Sequence, residues 1–229
     1  MQASLQVSLQ VSLQAVQPDL SSDRARALAL TAVSRETADR LDRFVALLLD
    51  WQSRINLIAS STVPVLWTRH IADSLQLLAL APETRRWADL GSGAGFPGVV
   101  IACALADSLP AVVHLIESNK KKAAFLNEAV RVTGAPAIVH AQRSDDFIKK
   151  LEGPLDIVTA RALAPLPRLL TIAYPLLKRG VKGLFPKGQD VDAELTEAAK
   201  CWSIQASLVP SRTDPKSRVV VIRSAKPRP

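Results

Sequence analysis

Apolar side chains between residues 34 and 80 recur every three or four positions, which is the period of an amphipathic helix. Ser34 is placed to cap the first helix of this stretch. The same spacing predicts a second helix over residues 68–80. We therefore expect residues 34–82 to form an N-terminal helical part that packs on the remainder of the chain.

The beginning of the chain follows a simpler pattern. In MQASLQVSLQVSLQAV, leucine and valine alternate with glutamine and serine as in a strand, while the leucines alone fall four residues apart as in a helix. A segment that fits both periods is more typical of low-complexity sequence than of a core element. We expect residues 1–33 to form a poorly ordered tail whose removal leaves activity nearly unchanged.

After Pro82, short apolar runs alternate with helical patterns. The pattern predicts strands over 87–90, 112–116, 138–141, 155–160 and 183–185, and helices over 97–106, 120–132, 167–178 and 191–200. Two further strands, 204–209 and 218–223, follow with no helix between them. This order predicts an α/β core over residues 83–229, in which a mostly parallel, doubly wound, Rossmann-like sheet ends in an antiparallel hairpin.

Composition narrows the classes of function. The 229 residues carry a net charge of +8, and residues 161–229 hold 13 of the 29 basic side chains but only five of the 21 acidic ones. This excess favours a polyanionic partner such as nucleic acid, although a solubilising role for the charge is the alternative. Aromatic residues make up only 4% of the chain, which disfavours a sheet that stacks bases on exposed rings.

The few cysteines and histidines, and the hydropathy of the chain, argue against other classes. Cys103 and Cys201 lie far apart and only three histidines occur, so we expect no structural zinc, iron–sulfur cluster, disulfide framework or other metal site. We expect both thiols to be buried. No uncharged apolar run is long enough to span a membrane and no secretion signal is evident, which predicts a soluble, cytoplasmic protein.

The densest motif is DLGSGAGFPG, the segment from Asp89 to Gly98. It directly follows the first predicted strand of the core and precedes a predicted helix. Its four glycines permit positive φ and let a ligand approach the backbone, while the start of the helix offers unpaired N–H groups. A ligand-binding loop is therefore a better interpretation than a tight turn alone.

Two overlapping motifs in this loop leave the ligand open. The register that ends at Gly98 is G-x-G-x-x-G, which together with Glu117 at the end of the next strand matches a dinucleotide fingerprint. The register that begins at Gly91 after Asp89 is D-x-G-x-G-x-G, the pattern of S-adenosylmethionine-dependent methyltransferases. An anion at Asp89 suits a cationic sulfonium better than a pyrophosphate, so electrostatics favours the methyl donor. With either ligand, Glu117 is placed to accept hydrogen bonds from ribose hydroxyls.

The acceptor of such a methyl group is constrained by what the chain lacks. No [DNS]-P-P-[YFW] tetrapeptide follows the fourth predicted strand, which disfavours exocyclic amines as acceptors. Methylation of pyrimidine C5 needs a cysteine nucleophile, and neither cysteine is expected at the site. Acceptors with an available lone pair, such as guanine N7, remain. Such an acceptor needs positioning rather than a general base.

Six short motifs occur in order between about residues 37 and 223. They are NLI at 56–58, RHIADS at 69–74, the glycine loop, SNKKKAAFL at 118–126, RA at 161–162 and KGQ at 187–189. As a set they resemble the ribosomal RNA small subunit methyltransferase G family, also called glucose-inhibited division protein B. The resemblance implies a class I methyltransferase fold with extra N-terminal helices, S-adenosylmethionine as the donor, and methylation of N7 of one guanine in bacterial 16S rRNA.

The resemblance and the physical argument together give a set of candidate cofactor contacts. Those carried over by motif are Gly91, Phe96, Ser144, Asp145 and Arg161, and those added from the physics of the loop are Asp89, Gly93, Gly95 and Glu117. The acidic pair Asp145-Asp146 would then meet the adenine, unless it only stabilises the start of a helix. His70 and Asp73 lie three residues apart on one helix face, where they either border the pocket together or form a packing pair.

On the acceptor side, we expect Arg161, Lys187 and His70 to position the base, with no residue required as a general base. We expect Lys187, Arg212 and Arg218 to contact RNA. The family's Arg-His pair before the last strand is replaced here by Ser217-Arg218. An RNA contact at that position therefore depends on Arg218 or Arg212.

The expected partner is 16S rRNA or the small ribosomal subunit, and we expect the protein to act as a monomer. Two other functions remain as alternatives. One is an NAD(P)-dependent oxidoreductase that uses the glycine register ending at Gly98. The other is a non-catalytic RNA-binding module on a methyltransferase fold.

Overall fold

The computed structural model describes residues 19–108 and 110–228, so the low-complexity repeat predicted at residues 1–16 lies outside the described part. Two helices open the described part, α1 (Ser21–Leu30) and α2 (Arg35–Gln52). Ser34 caps α2 as predicted, because its side chain accepts a hydrogen bond from the backbone N–H of Thr37. The apolar stripe of α2 lies in the main hydrophobic core.

The next helical stretch changes its hydrogen-bond pattern along its length. Four short helices follow one another here, a 3-10 helix (Ser60–Val65), a π-helix (Trp67–Ala72), α3 (Asp73–Leu75) and a second 3-10 helix (Gln76–Leu80). We call residues 67–80 the 67–80 segment. The helix predicted over residues 68–80 is confirmed in position, but it is not one regular α-helix. A π-helical turn of this kind is frequent at functional sites.

The strands of the described residues form one mixed sheet. They are β1 (Arg86–Leu90), β2 (Val112–Ile116), β3 (Ala137–His140), β4 (Ile157–Thr159), β5 (Lys182–Lys187), β6 (Trp202–Pro210) and β7 (Arg218–Pro227). Their order in the sheet is β3-β2-β1-β4-β5-β7-β6. Strands β1 to β5 are parallel, and β7 is antiparallel to both β5 and β6. The predicted sheet, with its closing antiparallel hairpin, is confirmed.

Helices cover both faces of this sheet. They are α4 (Gly98–Leu105), α5 (Lys120–Thr133), α6 (Ser144–Lys150), α7 (Leu166–Lys178) and α8 (Val191–Cys201). One hydrophobic core lies beneath α2, α4 and α5, and a second lies beneath α6, α7 and α8. This doubly wound arrangement brings the carboxyl ends of β1, β2 and β4 to one edge, where ligands bind in such folds.

Helix α1 corrects the prediction that residues 1–33 form one disordered tail. Asp23 is buried, and its carboxylate accepts hydrogen bonds from the backbone N–H groups of Trp67 at 2.7 Å and Thr68 at 3.2 Å. It therefore caps the start of the 67–80 segment. Arg24 on the same helix forms a bidentate ion pair with Asp42 of α2, with both N–O distances at 2.7 Å. These polar contacts fix α1 against the core.

The predictions from composition concern the burial of the two cysteines, metal sites and membrane-spanning helices. Cys103 is buried in α4 as predicted, but Cys201 is exposed. The prediction for Cys201 is wrong because this residue ends α8 beside β6, the edge strand of the sheet. Within residues 19–108 and 110–228, no group of three or more His, Cys, Asp or Glu side chains could hold a metal ion. No helix in that same part of the chain is long and apolar enough to cross a membrane.

Candidate functional site

A cavity of about 490 Å³ opens where β1, β2 and β4 end, and we call it the first cavity. Its volume lies within the range of about 300 to 1,000 Å³ that is usual for small-molecule sites. Eight residues singled out from the sequence line it, namely His70, Gly91, Gly93, Phe96, Glu117, Ser144, Asp145 and Arg161. The rest of the lining is mixed, with apolar side chains such as Leu57, Ile58, Ile116 and Ile172 and basic ones at Lys122, Arg143 and Arg168.

The glycine loop after β1 is built from left-handed residues. Gly91, Gly93 and Gly95 have φ angles of +72°, +54° and +88°, which residues with side chains rarely adopt. A Cβ atom at Gly95 would lie only 2.8 Å from Val99 Cγ2, whereas one at Gly93 would meet nothing closer than the Gly91 oxygen at 3.7 Å. Gly93 therefore borders open space, and Gly95 packs the loop onto α4. Gly95 is not among the residues that line the cavity, and its role as a cofactor contact stays a prediction.

Asp89 lies behind the loop rather than in the cavity. Its side chain is fully buried, and its Oδ2 accepts a hydrogen bond from the Gly98 N–H at 3.1 Å. Burial raises the pKa of Asp89 to about 7. The structure thus corrects the expectation that Asp89 lies beside a cationic ligand, because this carboxyl group instead caps the start of α4, where the helix dipole favours negative charge.

Glu117 connects the glycine loop to the end of β2. Its Oε2 accepts the Gly93 N–H at 2.9 Å, and its Oε1 accepts the Asn119 N–H at 2.7 Å. The residue is only 9% exposed, yet it lines the first cavity. Each carboxylate oxygen can accept a further hydrogen bond. Glu117 can therefore hold the loop and still accept hydrogen bonds from hydroxyl groups of a ligand.

The start of α6 forms another part of the rim. Ser144 and Asp145 line the first cavity. The pair Asp145-Asp146 also lies in the first turn of α6, where acidic side chains interact favourably with the helix dipole. Asp145 therefore lies both at the start of a helix and at the cavity, and its contact with adenine stays a prediction.

Three side chains form a compact cluster in the wall of the first cavity. The ring of His70 stacks on Phe96 with the centroids 4.8 Å apart, and the guanidinium of Arg161 lies 5.8 Å from the Phe96 centroid. Arg161 Nη2 lies 2.7 Å from His70 Nδ1, and His70 Nε2 lies 3.0 Å from the Thr62 hydroxyl. Because a guanidinium only donates, Nδ1 accepts and the proton of the neutral ring resides on Nε2.

Burial sets the charge states within this cluster. It lowers the pKa of His70 to about 3, and the positive charges of Arg161 and Arg69 act in the same direction. His70 is therefore neutral near pH 7 and serves as a hydrogen-bond acceptor for Arg161. Burial also lowers the pKa of Arg161, against the effect of the nearby Asp73 carboxylate. An arginine nevertheless keeps its charge, since its ordinary pKa is so high.

A second cavity of about 480 Å³ adjoins the first. The two cavities share a wall, residues 161–164, which directly follows the end of β4. Within this wall, Ala162 has a φ of +54°, a strained conformation of the kind that concentrates at functional sites. Besides Arg161, the polar and charged side chains of the second cavity are Arg69, Asp73, Gln76, Lys187, Glu194, Ser211, Ser217 and Arg218.

The expected contact between His70 and Asp73 is replaced by a bridge through Arg161. His70 lines the first cavity and Asp73 lines the second. Asp73 Oδ2 lies 3.6 Å from Arg161 Nη1, and Asp73 Oδ1 accepts a hydrogen bond from Gln76 at 2.8 Å. The 67–80 segment therefore holds Arg161 from both sides, at the junction of the two cavities.

The three predicted RNA contacts differ in their surroundings. Lys187 Nζ lies 2.7 Å from Glu194 Oε2 and donates to the Ala164 carbonyl at 2.7 Å. The charge of Lys187 is therefore paired within the fold, and its contact with RNA stays a prediction. Arg218 donates to two carbonyls of its own turn, at 2.6 and 2.9 Å. Arg212 is exposed.

Glu194 and Thr62 are site residues that sequence reasoning missed. Glu194 could have been found, because the predicted helix at 191–200 starts four residues after Lys187, so its first turn returns to the same edge of the sheet. No sequence signal pointed to Thr62, whose hydroxyl reaches His70 from a separate short helix.

Comparison with known sequences agrees with this geometry. The family model described as rRNA small subunit methyltransferase G matches residues 37–219. A protein named ribosomal RNA small subunit methyltransferase G from Bradyrhizobium sp. (strain BTAi1) is 62% identical over 203 residues, which cover 89% of this chain and 91% of that protein. The protein of the same name from Rhodopseudomonas palustris (strain BisB18) is 55% identical over 211 residues, covering 92% and 90%.

Comparison with solved structures gives the fold. An O-methyltransferase from Bacillus cereus, solved in complex with SAH, superposes with a TM-score of 0.60 at 12% identity and covers 90% of this chain and 98% of that one. A putative O-methyltransferase from Klebsiella pneumoniae gives 0.58 at 12% identity, with coverage of 91% and 99%. The fold is thus the Rossmann-like class I methyltransferase fold. Together with the family match over residues 37–219, this means that the chain belongs to the ribosomal RNA small subunit methyltransferase G family.

Proposed function

We propose that this protein transfers the methyl group of S-adenosylmethionine to N7 of one guanine in the 16S rRNA of the small ribosomal subunit. The observation that carries the proposal is the pair of cavities that meet at Arg161. The first has a lining suited to a nucleoside ligand, and the second opens beside it among basic and polar side chains. The names of the relatives from Bradyrhizobium and Rhodopseudomonas support an rRNA substrate.

The lining of the first cavity fits the donor. Glu117 offers carboxylate oxygens to ribose hydroxyls, and the start of α6 at Asp145 offers polar groups to an adenine between apolar walls. Gly91 and Gly93 leave the backbone open to close approach of a ligand. When bound, S-adenosylmethionine supplies an electrophilic methyl group on its sulfonium.

The residues of this chain contribute orientation rather than proton transfer. Guanine N7 carries a lone pair and no proton, so the reaction requires no general base. Arg161 is held by His70 on one side and by Asp73 on the other, which fixes its guanidinium between the cavities. Its Nη1 is buried and has no hydrogen-bond partner among the described residues, and the Asp73 carboxylate lies 3.6 Å from it.

The proposed reaction also indicates where the protein works. Ribosomal subunits are cytoplasmic particles, so we infer a cytoplasmic protein that acts as a monomer on 16S rRNA or on the small subunit. The net charge of +8 supports a polyanionic partner.

The oxidoreductase alternative has weaker support. In its glycine register the last glycine is Gly98, where an added Cβ would clash with Leu115 and with Asp89. The third glycine of a dinucleotide fingerprint has this same packing role, so Gly98 fits both ligands. The match of the rRNA small subunit methyltransferase G model to residues 37–219 is what favours the methyl donor.

Donor binding followed by methyl transfer tests the proposal. S-Adenosylhomocysteine should raise the melting temperature of the protein in a titration, whereas NAD(H) should leave it unchanged. Labelled methyl groups should then enter RNA of purified small subunits and not RNA of large subunits. Arg161→Met should lower this transfer at least about tenfold, a barrier increase of about 1.4 kcal/mol. Arg131→Met, a control at an exposed ion pair on α5, should not. Stabilisation by NAD(H) alone would favour the oxidoreductase.

A further inference from the structure

The second cavity contains an ion pair between Lys187 and Glu194. Lys187, the last residue of β5, lies 2.7 Å from Glu194 in the first turn of α8, and their side chains are only 10% and 25% exposed. A second Lys–Glu pair on α8, Lys200 and Glu197, is 65% and 62% exposed. The Lys187–Glu194 pair therefore belongs to the wall of the cavity and not to the outer surface.

This pair retains capacity for further hydrogen bonds. The ammonium group of Lys187 has three N–H donors, of which the Ala164 carbonyl accepts one, while Glu194 Oε2 lies 2.7 Å away as its ion-pair partner. Glu194 Oε2 also accepts the Leu166 N–H at 2.6 Å, while Oε1 accepts no hydrogen bond within the described part of the chain. One cationic donor and one anionic acceptor are thus presented side by side to the cavity.

We propose that the Lys187–Glu194 pair selects guanine as the target base, an inference that rests on the proposed function. Guanine presents the O6 acceptor directly beside the N1–H donor, with the N2 amino group next to it. Lys187 can donate to O6 while Glu194 accepts from N1–H and from the amino group. Adenine presents an amino group in place of O6 and a bare N1 in place of N1–H, so donor would face donor and acceptor would face acceptor.

The position of Lys187 also orients the base. Its ammonium group is held against Ala164, which belongs to the wall shared with the first cavity. A guanine whose O6 binds Lys187 has its neighbouring N7 near that wall, because O6 and N7 lie on the same side of the base. The pair therefore accounts for the choice of atom as well as the choice of base.

A purely structural role for the pair is the rival explanation, because Glu194 also accepts the backbone N–H of Leu166 at the start of α7. The two roles differ in how they respond to a change in the base. Loss of a structural contact slows the reaction with every substrate equally. Loss of a recognition contact changes the ratio of the catalytic efficiencies for two bases.

The experiment compares bases at the methylated position. That position is first located by mass spectrometry of the wild-type product, and guanosine is then replaced there by inosine, which lacks only the N2 amino group, through splinted ligation of 16S rRNA. We expect kcat/KM of the wild-type enzyme to fall about tenfold to a hundredfold on inosine, the usual effect of losing a hydrogen bond to a charged group. Equal efficiency on both bases would overturn the proposal without any variant. Absence of methylation on natural rRNA would instead count against the proposed function itself.

Glu194→Gln provides the second readout. We expect its preference for guanosine over inosine to shrink toward one, while its affinity for S-adenosylhomocysteine stays at the wild-type value. Glu197→Gln, in the exposed pair of the same helix, is the matched control and should keep the wild-type preference. If Glu194→Gln slows both substrates equally and keeps the wild-type preference, the pair is structural and the proposal is wrong.

Discussion

Gly93 and Gly134 share a left-handed backbone but differ in what lies beside them. Their φ angles are +54° and +63°, and an added Cβ would meet no atom within 3.7 Å at either position. Gly93 lines the first cavity, whereas Gly134 ends α5. Alanine at either site should therefore cost a similar 1 to 2 kcal/mol, roughly the price of a left-handed L-residue.

The pair of variants isolates the binding role of the glycine loop. We expect Gly93→Ala to weaken the affinity for S-adenosylhomocysteine about tenfold or more, equivalent to about 1.4 kcal/mol, because the new methyl group occupies space that the ligand needs. Gly134→Ala should bind with unchanged affinity. Calorimetric titration measures both, and equal affinities in the two variants would show that Gly93 does not contact the donor.

The neutral state of His70 predicts a pH dependence of stability. Its pKa is about 3 in the folded protein and near 6.5 when unfolded, so between these values only the unfolded chain takes up the proton. The contribution of His70 is thus complete above pH 6.5 and is lost as pH falls below it. At pH 4.5 the penalty is about 2 to 3 kcal/mol. Asp89, whose pKa is raised to about 7, changes stability in the opposite direction.

A difference measurement separates the two groups. The free energy of unfolding is measured with denaturant for the wild type and for His70→Gln, each at pH 7 and pH 4.5. Asp89 contributes equally to both proteins, so it cancels in the difference between them. We expect the difference in free energy of unfolding, wild type minus His70→Gln, to be about 2 kcal/mol smaller at pH 4.5 than at pH 7. An advantage independent of pH would mean that His70 titrates near its ordinary value.

The limits of sequence-based prediction are clearest at these positions. The glycine motif, Glu117 and Arg161 could be found because each follows a strand end, where α/β folds bind ligands. The sequence did not reveal that Asp89 is buried behind the loop while Glu117 lines the first cavity. Burial of Asp89 behind the loop depends on Gly98 meeting it from the next helix, a contact that the spacing of residues along the chain does not reveal.

Among the elements, α1 has the greatest consequence for the site. Its Asp23 accepts the N–H groups of Trp67 and Thr68 and so fixes the beginning of the 67–80 segment, which carries His70 and Asp73. The sequence did not reveal this helix, because Ala27 is its only buried apolar residue and its docking is polar. Strands and larger helices were predictable, since their apolar runs have one period each.

Removal of the Asp23 carboxylate should therefore disturb the site from a distance. We expect Asp23→Ala to lower the free energy of unfolding by about 1 to 2 kcal/mol, the usual cost of losing a helix cap. Asp39→Ala, at an exposed position on α2, should change it by less than about 0.5 kcal/mol. Denaturant unfolding compares them. A stable Asp23→Ala variant would restore the original expectation that residues up to 33 are dispensable.

At the scale of the whole molecule, the basic final third was predictable from composition, but its free charges were not. Lys187 is paired with Glu194, whereas Arg212 is exposed near the rim of the second cavity beside Ser211. A side chain that neutralises a phosphate adds roughly 0.7 to 0.9 to the slope of log affinity against log salt. Of Lys187 and Arg212, only Arg212 is therefore expected to contribute to that slope.

Filter binding of 16S rRNA across a salt series tests this assignment. We expect Arg212→Ala to flatten the slope by about one phosphate contact, and Lys187→Met to leave the slope unchanged. The opposite pattern would mean that Lys187 leaves Glu194 to bind the RNA backbone.

The most direct test of the central claim is the identity of the methylated nucleoside. Small subunits from cells that lack this activity are incubated with the purified protein and S-adenosylmethionine, and their 16S rRNA is digested and analysed by mass spectrometry. We expect 7-methylguanosine, gained at one position per rRNA molecule, and a gain at least about tenfold slower with Arg161→Met. A methyl group on another base or atom, or none at all under conditions where S-adenosylhomocysteine binds, would contradict it.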